Sequence, residues 1–149
     1  MPSARETDLD PKTYIGLSFP LRRDKFNDFA MTKNSLQQAE HNLKNLLLTY
    51  PGERVGQPEF GSRLRELCFE QIDDTLPERI EEEVRSAVSV WLPYINIIEV
   101  ATLTEEGDKS KIFVRMKYST SLNPQTIEQI ELDTSYSHDL SNYYATGNL

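Results

Sequence analysis

Tyr50-Pro51-Gly52-Glu53-Arg54-Val55-Gly56-Gln57-Pro58-Glu59-Phe60-Gly61-Ser62-Arg63-Leu64 is the stretch that divides this chain. It packs two prolines and three glycines between two helix-like runs. Pro51-Gly52 reads as a turn, because Pro sets φ and Gly accepts φ > 0. Pro58 disfavours helix at the residue before it. The stretch is not a bland linker, since Val55 and Phe60 are apolar and Glu53, Arg54, Glu59 and Arg63 carry both signs of charge. Charge-assisted bonds among these four would brace the loop or reach across an interface. A loop braced in this way is a pre-organised recognition surface.

Upstream, Ser35-Leu36-Gln37-Gln38 fits a capping box, with Ser35 as the cap and Gln38 three residues on. Leu36, Ala39, Leu43, Leu46, Leu47 and Tyr50 then recur at helical spacing, which predicts one apolar stripe on a helix ending at Tyr50-Pro51. Gln37, Glu40, His41, Lys44 and Asn45 form its solvated face. Downstream, Arg63–Phe69 reads as a short helix with Leu64, Leu67 and Cys68 on one side. Thr75-Leu76-Pro77-Glu78 is a second capping box with Pro in the first turn. Leu76, Ile80, Val84, Ala87, Val88, Trp91 and Leu92 continue it as an apolar face, and Pro93 stops it. Glu78, Glu81, Glu82 and Glu83 suit the anion-favouring start of that helix, and Glu81 and Arg85 are spaced to pair.

Three strands follow. Ile95–Leu103 is rich in β-branched residues, and Glu105-Glu106-Gly107-Asp108 reads as a turn. Ile112, Val114, Met116 and Tyr118 alternate with Phe113, Arg115 and Lys117. After a turn at Asn123-Pro124, Thr126–Asp133 carries Ile130 and Leu132 on one face. Strands joined this tightly make an antiparallel meander. Helices must cover its apolar side, so the fold class is α+β: two main helices and a short one on a three-stranded antiparallel sheet. Residues 1–31 read as an extended arm, with Tyr14–Leu21 apolar but broken by Gly16 and Pro20. Residues 32–134 form the domain. Residues 135–149, with Tyr136, Tyr143 and Tyr144, read as a flexible tail.

A net charge of −8 and a pI near 4.8 argue against a nucleic-acid partner. Arg22, Arg23 and Lys25 form the only local basic cluster. The one cysteine, Cys68, excludes an internal disulfide, and its apolar neighbours suggest a buried thiol in a chain made in a reducing cytoplasm. No run is long and apolar enough for a membrane span. His41 and His138 lie apart and in unlike contexts, so no metal site or cofactor is expected. No nucleophile elbow or phosphate-binding glycine motif occurs, and no catalytic residue is assigned. The one carboxylate pair worth testing for glycoside hydrolysis is Glu53 with Glu59.

Gly52-Glu53-Arg54, then Pro58-Glu59-Phe60-Gly61-Ser62, Leu64 and Phe69, resemble the signature of the baseplate wedge proteins of contractile phage tails. The family includes sheath initiators of contractile bacteriocins and a subunit of type VI secretion, and some members carry a lysozyme-like label. The resemblance spans roughly residues 33–133. It implies a structural protein of the virion tail baseplate, assembled in the host cytoplasm in six copies. The implied partners are other wedge subunits and the tail sheath protein, with tube or hub proteins as further contacts. It also implies that the sheath starts by strand exchange, here on Thr126–Asp133 with Ile130 and Leu132. Many members carry Glu-Pro-Arg at the end of the long helix. This chain has Leu92-Pro93-Tyr94, keeping Pro93 without the flanking charges.

The expected partner-binding residues are therefore Leu36, Leu43 and Leu47 on the first helix, Gly52, Glu53, Arg54, Pro58, Glu59, Phe60 and Gly61 in the loop, Pro93, and Ile130 and Leu132. The alternatives are a tail-associated peptidoglycan hydrolase and a small protein-binding adaptor of related fold.

Overall fold

Alternating apolar residues and helical stripes both need one shared interior, and the computed structural model shows how they meet. It describes residues 8, 10, 12–105 and 108–133. In chain order the elements are β1 (Gly16–Leu17), β2 (Met31–Thr32), α1 (Ser35–Leu48), α2 (Leu64–Cys68), α3 (Leu76–Trp91), β3 (Ile95–Glu105), β4 (Asp108–Thr120) and β5 (Asn123–Asp133). β3, β4 and β5 form an antiparallel sheet in that order, and β1 and β2 form a separate two-stranded sheet. This is the α+β class read from the sequence. The expected tail and its tyrosines, and the turn residues 106–107, lie outside the described residues.

The period-2 pattern of β4 puts Ile112, Val114, Met116 and Tyr118 under the helices, joined by Ile130 and Leu132 of β5. From above come Leu43, Leu46 and Leu47 of α1, Leu64 of α2, and Leu76, Ile80, Val84 and Val88 of α3. Burying an aliphatic side chain of this size contributes roughly 1.5–3 kcal/mol, so this layer dominates the stability. The opposite face of the sheet is a charged ladder, with Arg115 paired to Glu131 at 2.8 Å and Lys117 to Glu99 at 2.6 Å.

Several boundaries differ from the sequence reading. Asn34, not Ser35, caps α1: its backbone is extended, and Leu36 N donates to its Oδ1 at 2.8 Å. Gln38, released from a capping role, donates to Asn42 and accepts from Thr32. The helix stops at Leu48 because Thr49 is extended and its hydroxyl donates back to the Asn45 carbonyl. At α3, Thr75 makes no side-chain cap. Asp73 instead braces the turn leading into the helix, accepting from Thr75 N at 2.9 Å and Thr75 Oγ1 at 2.8 Å, which holds its carboxyl below the usual range. β5 starts at Asn123, three residues earlier than read, and Thr120 pairs with Asn123 across the turn. Pro124 is tolerated because β5 is an edge strand that can spare an N–H.

The arm is not simply extended. Residues 15–32 fold back as a hairpin closed by Gly16↔Thr32, Leu17↔Met31 and the Arg23↔Phe29 bridge. It lies on α1 and buries His41, which the spacing had put on the solvated face. His41 Nδ1 is 3.0 Å from Phe19 N and 2.7 Å from Phe19 O. It accepts from the amide in one tautomer and donates to the carbonyl in the other.

Candidate docking surface

The loop after α1 is closed at its neck. Ser62 N donates to Thr49 O at 2.9 Å and Ser62 Oγ to Leu47 O at 3.2 Å. Inside the neck, Gly52 N donates to Pro58 O at 2.7 Å, and two further turns run from Tyr50 to Glu53 and from Arg54 to Gln57. Gly61 has φ 130°, and a Cβ there would run into the Thr49 carbonyl oxygen. Only glycine makes this neck without strain.

Phe60 turns inward. Its ring meets Trp91 of α3 edge-on, with centroids 5.2 Å apart, while the Arg54 guanidinium stacks on it at 3.8 Å. The loop is therefore pinned to the core by an aromatic anchor covered by a cation. Glu53 braces the start, accepting from Tyr50 N at 3.0 Å, with a long contact to Arg65 at 4.0 Å. The Tyr50 phenol donates to Glu66, which raises its pKa above the ordinary value. Glu83 of α3 accepts from Arg63 N at 2.7 Å. What remains outside is Val55, fully exposed, with Gly56, Gln57, Pro58 and Glu59.

The four loop charges thus divide. Glu53 and Arg54 are spent within the loop, Arg63 binds Glu83 through its backbone, and Glu59 is left in solvent without an ion pair among the described residues. Among the other expected contact residues, Leu43, Leu47, Phe60, Ile130 and Leu132 are buried in the chain's own core. They can shape a docking surface only from beneath, because the apolar stripe that identified them is the one the core consumes. Leu36 is half-buried, Gly61 is buried in the neck, and Gly52 and Pro93 are exposed. Tyr94, where the resembled family has a charge, bridges elements instead: Asn42 Nδ2 donates to its hydroxyl at 2.8 Å and Ser121 N to its carbonyl at 2.8 Å.

The second exposed feature is the sheet edge. β3 has a register shift between Ile97 and Glu99, and Arg85 of α3 reaches into it, donating to Ile97 O at 2.7 Å and Ile98 O at 3.4 Å. β5, an eleven-residue strand, has no such cover among the described residues: it pairs with β4 alone, with Ile127 exposed. A long edge with unpaired backbone groups is a template for another strand. Two surface depressions lie elsewhere, on the outer face of α3 around Glu78, Glu82 and Arg85 and on the charged face of the sheet around Glu99, Arg115 and Lys117. Neither includes Glu53 or Glu59.

The chain spends its core residues inward and, among the described residues, offers a pinned loop and an open strand edge. Residues 34–125 match the family model described as baseplate wedge protein gp25. The chain belongs to that family and is a structural protein of the phage tail baseplate. It is 30% identical over 127 residues to baseplate wedge protein gp25 of Enterobacteria phage T4, covering 85% of this chain and 95% of that one. Among solved structures it is similar to a putative tail lysozyme from Geobacter sulfurreducens. Identity there is 27% and the TM-score 0.60, over 70% of this chain and 94% of the other. A chain of the anti-feeding prophage baseplate shares the fold, at 17% identity and TM-score 0.56, over 86% of this chain and 90% of that one. A chain of the postcontracted pyocin R2 baseplate does so at 18% and 0.53, over 67% and 97%.

Proposed function

We propose that the chain joins wedge subunits through the outer part of its loop and starts the tail sheath by accepting a strand on β5. The observation that carries the reading is the asymmetry of the sheet, with β3 engaged by Arg85 of its own helix and β5 left open among the described residues. Strand addition supplies main-chain bonds, and exposed side chains such as Ile127 supply selectivity. The wedge contact uses Val55, Pro58 and Glu59, which the anchored Phe60 holds in place. Six copies around the tail would each present one strand to the first sheath ring. No bond-breaking step is part of this role.

The test is tail assembly in cells lacking the native gene, complemented with variants. Val55→Asp with Glu59→Arg is expected to abolish co-purification with wedge subunits at an unchanged melting temperature. Ile127→Lys with Gln129→Lys is expected to leave the baseplate intact but without sheath. Full-length tails from both variants would refute the reading.

The similarity to a protein described as a putative tail lysozyme keeps one rival specific. Purified protein is expected to leave peptidoglycan uncleared, and clearing that disappears with Glu59→Gln would establish the rival.

A further inference from the structure

We propose that the tip of the N-terminal hairpin is a second docking site, taking an acidic polypeptide surface with an apolar socket on another baseplate protein. The inference rests on the baseplate reading above but uses residues outside the matched family segment, which begins at residue 34.

Charge is unevenly divided along the chain. The hairpin, residues 15–32, holds three cations (Arg22, Arg23 and Lys25) against two acids, Asp24 and Asp28. Residues 34–133 hold ten cations against eighteen acids. The tip of the hairpin thus gathers Arg22, Arg23 and Lys25, a local excess of positive charge beside an acidic body. The apolar content of the projection is exposed, with Phe26 at 73%, Phe29 at 61% and Leu21 at 62% of their free area. Lys25 Nζ lies 5.3 Å from the Phe26 ring centroid. An exposed aromatic anchor with cations beside it is the composition of an interface hot spot facing carboxylates.

The tip is also held in shape. Asp24 Oδ1 accepts from Phe26 N at 2.8 Å and Asp28 N at 3.0 Å. Asp24 N donates to Asp28 O at 2.7 Å, and Arg23 Nη1 to Asn27 Oδ1 at 2.6 Å. Asn27 has φ 69°, a left-handed position that Asn tolerates. The base is clamped to α1, with His41 on Phe19, Thr32 Oγ1 on Gln38, and Gly16 too close to Gln38 to admit a Cβ. A chain that only needed to cover α1 would not build a braced turn with two phenylalanines in water. A compact acidic socket can meet this tip without touching the body. An extended polyanion such as nucleic acid, or an anionic membrane, would meet the acidic body as well.

The test places a photo-crosslinking phenylalanine analogue at position 26 in full-length chain, assembles tails, irradiates them, and identifies the joined peptide. One peptide from another baseplate protein is expected, with more Asp and Glu than Lys and Arg and with apolar residues beside them. In parallel, Arg22→Glu with Arg23→Glu and Lys25→Glu is expected to lower incorporation into tails at least tenfold while circular dichroism stays unchanged. Five results would overturn the proposal: a crosslink to a second copy of this chain, to nucleic acid or to lipid; a joined peptide without acidic excess; no crosslink in tails that contain the chain; normal incorporation of the charge-reversed variant; or lost incorporation that tracks lost helicity. If wild-type chain itself fails to enter tails, the baseplate reading has failed. If wild type enters and the tip variants enter equally, only this inference has.

Discussion

At the scale of single residues, Gly61 and Phe60 decide whether the loop is a docking surface or a loose connection. Gly61 sits where an L-residue is strained and where a Cβ meets the Thr49 carbonyl. Gly61→Ala is therefore expected to destabilise by about 1–3 kcal/mol in urea unfolding. Val55→Ser, at a fully exposed site on the same loop, should stay within about 0.5 kcal/mol of wild type. Asp73 makes a pH-dependent contribution. Its folded pKa is lowered from 3.8, chiefly by the Thr75 hydroxyl. This brace is therefore fully present above that value and lost as pH falls through the lowered one. Asp73→Ala should lower the melting temperature at pH 7 and change it little at the acid end, where wild type has lost the same contact. The glycines and prolines were legible as punctuation in the sequence. That Phe60 turns inward while Val55 turns out was not, because both are apolar and only the partner ring of Trp91 distinguishes them.

Periodicity carries far at the scale of elements and then stops. The stripes of α1 and α3 and the alternation of β4 are read directly, since each is repeated burial against one layer. Caps are less legible, because neighbouring residues compete for them. Asn34 takes the role that Ser35-x-x-Gln38 suggested, and Ser35 instead ties the N-terminal side down, donating from its amide and hydroxyl to Asp8. Asn34→Ala should accordingly cost about 1 kcal/mol, and Ser35→Ala less, in thermal or urea unfolding. The same competition explains the candidate contact residues. A stripe of leucines looks alike whether it meets a partner or its own core, and in α1 the buried cluster shared with α3 claims Leu43 and Leu47. The hairpin was hidden for a different reason: its pairing is only two residues long at β1 and β2, so no alternation announces it.

Across the whole molecule, the loop and the core are one structure, and this sets the last expectation. Phe60 belongs to the buried cluster, Trp91 packs on that cluster from α3, and Glu83 of α3 holds the Arg63 amide. Trp91 is the only tryptophan, so its fluorescence reports the contact between loop and helix. If the loop is a rigid part of the fold, urea unfolding followed by Trp91 fluorescence and by far-ultraviolet circular dichroism should share one midpoint, as a two-state domain of this size does. Arg54→Ala removes the cation stacked on Phe60 and should lower both midpoints together, by about 0.5–1 kcal/mol. A fluorescence transition well below the dichroism transition would mean that the loop detaches before the core melts. A loop that detaches so readily would have to be ordered by its partner, and the pre-organised contact proposed for Val55, Pro58 and Glu59 would give way to one formed on binding.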